Sequence, residues 1–152
     1  MKLLRTIRFD GSDDRVYETA AGAGEWAVSG AFAFLDDEGR APAVGGLTGK
    51  RRQAFANGFL GVSSFGRSTL ATVSEATAHD RDGIEARLAA HFVECYGAPD
   101  IASARPAAQE EIAFIEDLVS EAPVNAVFTV RRVIGEDGRV REEFRIIRAP
   151  EG

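Results

Sequence analysis

The residues with the most chemical promise lie between Thr48 and Thr69. Thr48 can cap a short helix whose first turn carries Lys50, Arg51 and Arg52, and Ser63, Ser64, Arg67 and Ser68 follow in a glycine-rich stretch. A helix N-terminus presents unpaired N–H groups with partial positive charge, and guanidinium and hydroxyl donors add charge-assisted hydrogen bonds, so this combination suits an anion. No Asp or Glu occurs from Gly39 to Ser74, while Arg40 adds a further cation. The ordinary use of the same residues is a surface helix and loop anchored by Phe55, Phe59, Leu60 and Phe65. Both uses stay open for Thr48, Lys50, Arg51, Arg52, Ser63, Ser64, Arg67 and Ser68, and no residue is assigned a catalytic role.

Other chemistries fail on spacing. A phosphate-binding P-loop around Gly49-Lys50 would need glycine at 44 and Ser or Thr at 51, where Val44 and Arg51 stand. Gly22, Gly24 and Ala27 imitate a dinucleotide fingerprint, but the pattern around Trp26 and Val28 is that of a strand rather than the required helix. Gly61-Val62-Ser63-Ser64-Phe65 approaches a nucleophile elbow and has Phe65 in place of the second glycine. His79 and His91 have no spacing that ties them to a serine. His91 and Cys95 could supply two metal ligands where a structural site needs four, and Cys95 falls on an apolar stripe that predicts a buried, inert thiol. Glu110, Glu111, Glu116 and Asp117 read as a solvated helix face. No metal or cofactor is implied.

Eighteen basic against 24 acidic residues give a net charge of −6, the wrong sign for a protein devoted to nucleic-acid phosphates. No run approaches the roughly 18 apolar residues of a membrane span, and MKLLRTIRFD lacks the apolar core of a secretory signal. A lone thiol suits a reducing compartment, so the expected location is the cytoplasm. With 152 residues and 45% hydrophobic content, one domain with its own core is expected over residues 1–148, with 149–152 a frayed tail.

The elements that must position these residues follow from periodicity. Residues 2–9 read as a strand, 10–14 as a turn, and 16–19 as a second short strand. Residues 25–35 read as the clearest strand, with Trp26, Val28, Phe32 and Phe34 on one face and Ala27, Ser29, Ala31 and Ala33 forming a smooth second face suited to a helix or another protomer. A loop over 36–46 precedes a helix from Thr48 to Asn57 that Gly58 ends. Another strand is expected from about 67 to 77. A helix starting at Asp80 or Asp82 buries Ile84, Leu88, Phe92 and Cys95 and stops at Gly97. Asp100 can cap a brief turn, and the next helix starts with Pro106 at its first position, buries Ala108, Ile112, Ile115, Leu118 and Val119, runs to about Glu121 and is ended by Pro123.

Residues 125–148 predict a hairpin, whose register the side chains decide. A two-residue Asp137-Gly138 turn would set Val130 opposite Arg145 and mix apolar and charged residues on both faces. A turn through Glu136-Asp137 with Gly138 left-handed instead pairs 130 with 144, 128 with 146, 131 with 143 and 132 with 142. Phe128, Val130, Ile134, Val140, Phe144 and Ile146 then share one face, where Arg132 meets Glu142, and Thr129, Arg131, Arg141, Glu143 and Arg145 share the other. The expected fold class is α+β, a mostly antiparallel sheet of about five to six strands with two main helices and one short helix packed on one face.

The stretches GEWAVSGAFAF (24–34) and KRRQAFANGFLGVSSFGRSTL (50–70) resemble a bacterial family of small proteins classed as a domain of unknown function, over most of the chain. The resemblance implies an accessory role and carries over no catalytic residue. The leading expectation is a non-catalytic interaction module that self-associates or binds a protein partner. The alternative is a protein that binds, or an enzyme that acts on, a small anion near 48–69, and neither nucleic acid nor membrane is an expected partner.

Overall fold

A computed structural model describes residues 1–8, 10–36, 38, 40, 41 and 46–148; Phe9, parts of the expected 36–46 loop and the expected 149–152 tail lie outside the described residues. In chain order the elements are β1 (Lys2–Ile7), α1 (Ser12–Val16), β2 (Trp26–Val28), a 3-10 turn (Ala31–Phe34), α2 (Gly49–Asn57), β3 (Phe59–Gly61), β4 (Arg67–Ser68), β5 (Leu70–Glu75), α3 (Ala78–Cys95), α4 (Ile101–Leu118), β6 (Val127–Ile134) and β7 (Val140–Arg148). The strands form one sheet in the order β4-β3-β2-β1-β5-β6-β7, every neighbouring pair antiparallel. The class is α+β, as expected; among the described residues the sheet has seven strands where about five to six were expected, and there are four α-helices where three were expected.

The extra strands come from misread connections. Residues 59–66 are not a plain link, because Phe59–Gly61 pairs with Trp26–Val28 on one side and Arg67–Ser68 on the other. The strand expected over 67–77 is divided accordingly, Arg67–Ser68 closing the sheet edge and Leu70–Glu75 crossing to pair with all of β1.

The strand expected over 25–35 stops at Val28. Gly30 takes φ +78, where a Cβ would come within 2.5 Å of Leu60 Cβ and 2.6 Å of Arg67 Nη1, and this left-handed residue turns the chain into the 3-10 turn. Phe32 then packs edge-on to Phe92 and Phe34 edge-on to Phe55, so the smooth face of small residues does not form. The strand expected at 16–19 is replaced by the end of α1 and a buried Tyr17. Asp13 and Asp14 in the first turn of α1 favour its positive end.

Both long helices begin earlier than expected. The Thr77 side chain accepts from Asp80 N, and the Asp80 carboxylate accepts from Thr77 N, a reciprocal cap that starts α3 at Ala78. Asp100 accepts from Ser103 N at 2.7 Å and starts α4 at Ile101, which leaves Pro106 inside the helix. The carbonyl of Ala102, which loses its N–H donor to that proline, belongs to an exposed residue that water can serve. Ile84, Leu88, Phe92, Ala108, Ile112, Ile115 and Val119 are buried as their spacing predicts. Cys95 is exposed, contrary to expectation, because Phe92 is the last buried residue of α3 and the final turn runs past the core. Gly97, at φ +76, ends the helix, with Ala98 N donating to Phe92 O.

The hairpin has the predicted register, with Val130 opposite Phe144, Phe128 opposite Ile146, Arg131 opposite Glu143 and Arg132 opposite Glu142. Gly138 has φ +80 and donates to Gly135 O, as the bulged turn requires. Ile134 and Ile146 share the apolar face yet stay exposed, since β7 is the last strand of the sheet. Phe144 lies against Phe59 and Phe114, which brings α4 onto this face. One core joins Leu4, Val28, Phe59, Val73, Phe128 and Val130 of the sheet to Leu88, Phe92, Ile112 and Ile115 of the helices.

Candidate functional site

Two arginines are buried where α2 meets the sheet. Arg67, on β4, donates from Nη1 to Gly58 O (3.1 Å) and from Nη2 to Gly30 O (3.0 Å). Arg132, on the core face of β6, donates from Nη1 to Phe55 O and Gly58 O (2.9 Å each), from Nη2 to Ser29 O, and from Nε to Glu142 Oε2 (2.9 Å). The last carbonyls of a helix have no partner within it, and these two side chains supply the donors that the C-terminus of α2 lacks. Gly58 O accepts from both. Burial first, and then the neighbouring Arg132, lower the pKa of Arg67 to about 10, so it keeps its charge at neutral pH. Burial also lowers the pKa of Arg132, against the opposing effect of Glu142.

Above Arg67 opens a cleft of about 230 Å3 lined by Lys50, Arg51 and Ala54 of α2, Tyr17, Glu18 and Thr19 after α1, Ala33 and Phe34, Phe65, and Tyr96. Arg67 lies over the Phe34 ring at 5.1 Å. The Tyr17 hydroxyl is hydrogen-bonded to Thr69 Oγ1, which donates to the buried Asp13 carboxylate, and this fixes the tyrosine wall. Burial raises the pKa of both Tyr17 and Tyr96, keeping the phenols neutral. Phe65 takes φ 56, a conformation costly for a bulky residue, and its ring stacks on His91 with centroids 3.8 Å apart. Burial lowers the pKa of His91, so the stacked imidazole is neutral at pH 7. Lys50, Arg51 and Arg67 make the floor and one rim of the cleft cationic, Tyr17, Phe34, Phe65 and Tyr96 give it aromatic walls, and Glu18 adds a carboxylate to the lining.

The structure thus brings together Lys50, Arg51 and Arg67 and disperses the other expected site residues. Arg52 is exposed and does not line the cleft. Thr48 stands at the N-cap of α2 but makes no capping bond with its side chain. Ser63 accepts from Arg87 Nη1 on a separate depression with Trp26, His79 and Asp80. Ser64 is bound to Glu25, and Ser68 donates to Ile7 O and Leu70 O inside the sheet. His91 is taken up by aromatic stacking, and among the described residues no group of three or more His, Cys, Asp or Glu is placed to hold a metal ion.

Tyr17, Thr19, Phe34 and Tyr96 escaped sequence reasoning because they reach the cleft from three distant segments. Arg132 and Glu142 had a signal, since the hairpin register placed this pair on an otherwise apolar face. Glu111 had none. It lies toward Arg132 and Glu142 from α4, its Oε1 is buried without a partner, and burial followed by the Glu142 charge raises its pKa to about 7.

The fold and site together define an α+β protein in which a helix is tied by buried arginines to an antiparallel sheet and one wall of a small cationic cleft is built from that helix. The chain belongs to the family of unknown function DUF6505, whose model matches residues 1–152. No curated protein and no solved structure matches it.

Proposed function

We propose that this chain is a non-catalytic accessory module that binds a small organic anion, a carboxylate or phosphate with a planar or apolar body. The observation that carries this reading is the convergence of Lys50, Arg51 and Arg67 with Tyr17, Phe34, Phe65 and Tyr96 on one cleft. Arg67 has Nη1 and Nη2 engaged by carbonyls, so it supplies field and floor, and Lys50 and Arg51 supply the movable donors. The volume of about 230 Å3 lies below the roughly 300–1,000 Å3 of sites for drug-sized ligands, which favours a small metabolite or the charged end of a larger one. Glu18 at the rim disfavours a second negative charge on that side. The lone thiol, Cys95, fits action in the cytoplasm.

The test is thermal shift followed by calorimetry with inorganic phosphate, aliphatic and aromatic carboxylates and phosphomonoesters. A ligand at 100 times its Kd should stabilise the fold by about 2.7 kcal/mol, an effect abolished in a Lys50→Ala/Arg51→Ala variant and retained in Arg52→Ala. Stabilisation by no anion, or equal stabilisation of the double variant, would remove the reading.

A further inference from the structure

We propose that two copies of this chain join edge to edge through β7, across a two-fold axis at Phe144. The strand ends the sheet, and among the described residues its outer side is met only before its first residue, where Arg40 bridges Arg139 and Ala41 N donates to Gly138 O. Backbone parity fixes which of its groups point outward. Gly135 N donates to Arg139 O, so 135 and 139 form a hydrogen-bonded pair, and alternation along an antiparallel ladder makes 133 with 141, 131 with 143 and 129 with 145 the other such pairs. The N–H and C=O groups of Val140, Glu142, Phe144 and Ile146 therefore face away from β6; the segment at Arg40 and Ala41 lies against the edge at Val140, and the stretch from Glu142 to Ile146 is where another strand can be accepted.

An antiparallel second copy can bond only through those outward groups, which leaves few registers, and side-chain charge separates them. With Phe144 opposite Phe144 of the second copy, Glu142 lies opposite Ile146, and Glu143 meets Arg145 of the other strand on both sides of the axis. Glu143 and Arg145 then form non-hydrogen-bonded pairs, where side chains approach most closely. Pairing Glu142 with Phe144 instead sets Glu143 against Glu143 and Arg141 against Arg145. Pairing Phe144 with Ile146 sets Arg145 against Arg145, and a centre at Glu142 sets that carboxylate against itself. Among these registers, the one centred on Phe144 joins opposite charges and opposes no like ones. Charges on an edge strand ordinarily discourage pairing, and here their order matches the strand to itself.

Apolar surface lies where this register needs it. The axis runs perpendicular to the sheet, so α4 of both copies falls on the same side. Phe114 of α4 (43% exposed) and the Phe144 ring then approach their counterparts across the axis, and Ile146 (47% exposed) lies beside Glu142 of the second copy. This dimer is independent of the anion cleft, which lies at the α2 side of the sheet.

Sedimentation equilibrium over a wide concentration range tests it. The wild-type mass should rise from 16.3 kDa toward twice that value. Glu143→Arg and Arg145→Glu, both at exposed positions, should each raise the dissociation constant about tenfold by turning two attractive cross-strand pairs repulsive, and the double swap should restore association. A monomer at every concentration, a dimer indifferent to the single changes, or a double variant that stays dissociated would each overturn the proposal.

Discussion

Replacing Glu111 by glutamine should stabilise the protein by an amount that grows as pH rises above the carboxyl's unfolded-state pKa. Glu111 Oε1 is buried without a partner. Burial raises its pKa to about 7, with Glu142 and then Glu110 adding to the effect and Arg132 and Arg67 opposing it. In the unfolded chain the same carboxyl titrates near 4.5. Between these values the folded protein keeps a proton that the unfolded chain has released, so stability is full below 4.5 and is lost as pH rises through 7. The difference corresponds to about 3 kcal/mol as an upper bound, since Glu111 is not wholly buried and water relieves part of the penalty. Glu111→Gln keeps the shape and stays neutral. Urea unfolding of both proteins from pH 4 to pH 8.5 should give equal stabilities at the acid end and an advantage for the variant that grows through neutrality to as much as about 3 kcal/mol. A difference that is constant with pH would refute the reasoning.

Arg132→Ala should cost about 3 kcal/mol in the same assay, because it orphans Phe55 O and Ser29 O and leaves Glu142 uncompensated; adding Glu142→Gln should return part of the loss. A loss below about 1 kcal/mol would show that the arginine does not hold α2 to the sheet. Cys95 should react with a thiol reagent in the native state at close to the rate of the unfolded chain, and Cys95→Ala should change stability by less than about 0.5 kcal/mol, whereas slow native labelling would contradict its exposure.

Sequence reasoning succeeded where a pattern was both local and long. The hairpin register could be read because a shift of one residue would have mixed Arg131, Glu143 and Arg145 into the row of Phe128, Val130 and Phe144. The buried stripes of α3 and α4 were legible for the same reason, although the carboxylate caps at Asp80 and Asp100 move both starts outward. Residues 25–35 misled because period-2 alternation continued past Gly30, whose left-handed backbone and close approach to Leu60 and Arg67, both remote in sequence, leave no trace in that pattern. The candidate site was legible by halves. The charge pattern gave Lys50, Arg51 and Arg67, whereas Tyr17, Phe34 and Tyr96 join them only through sheet pairing and the turn at Gly30. The sequence offers Arg67 as a candidate anion ligand, and its burial depends on two carbonyls that no local pattern reveals.

The central place of β1 bears on how fast the chain can fold. β1 pairs with β2 on one side and along its full length with β5 on the other, from Lys2 opposite Glu75 to Ile7 opposite Leu70. Its second neighbour thus has to be brought back across α1, β2, α2, β3 and β4 before the middle of the sheet exists. Closing so long a loop is an entropic cost met before the contacts that reward it, and chains rich in such contacts fold slowly. The α3–α4 and β6–β7 pairs need only short loops and can form early. Refolding should therefore be limited by the search of β1 for β5, and during synthesis β1 waits with an unpaired edge until residue 75 has emerged from the ribosome.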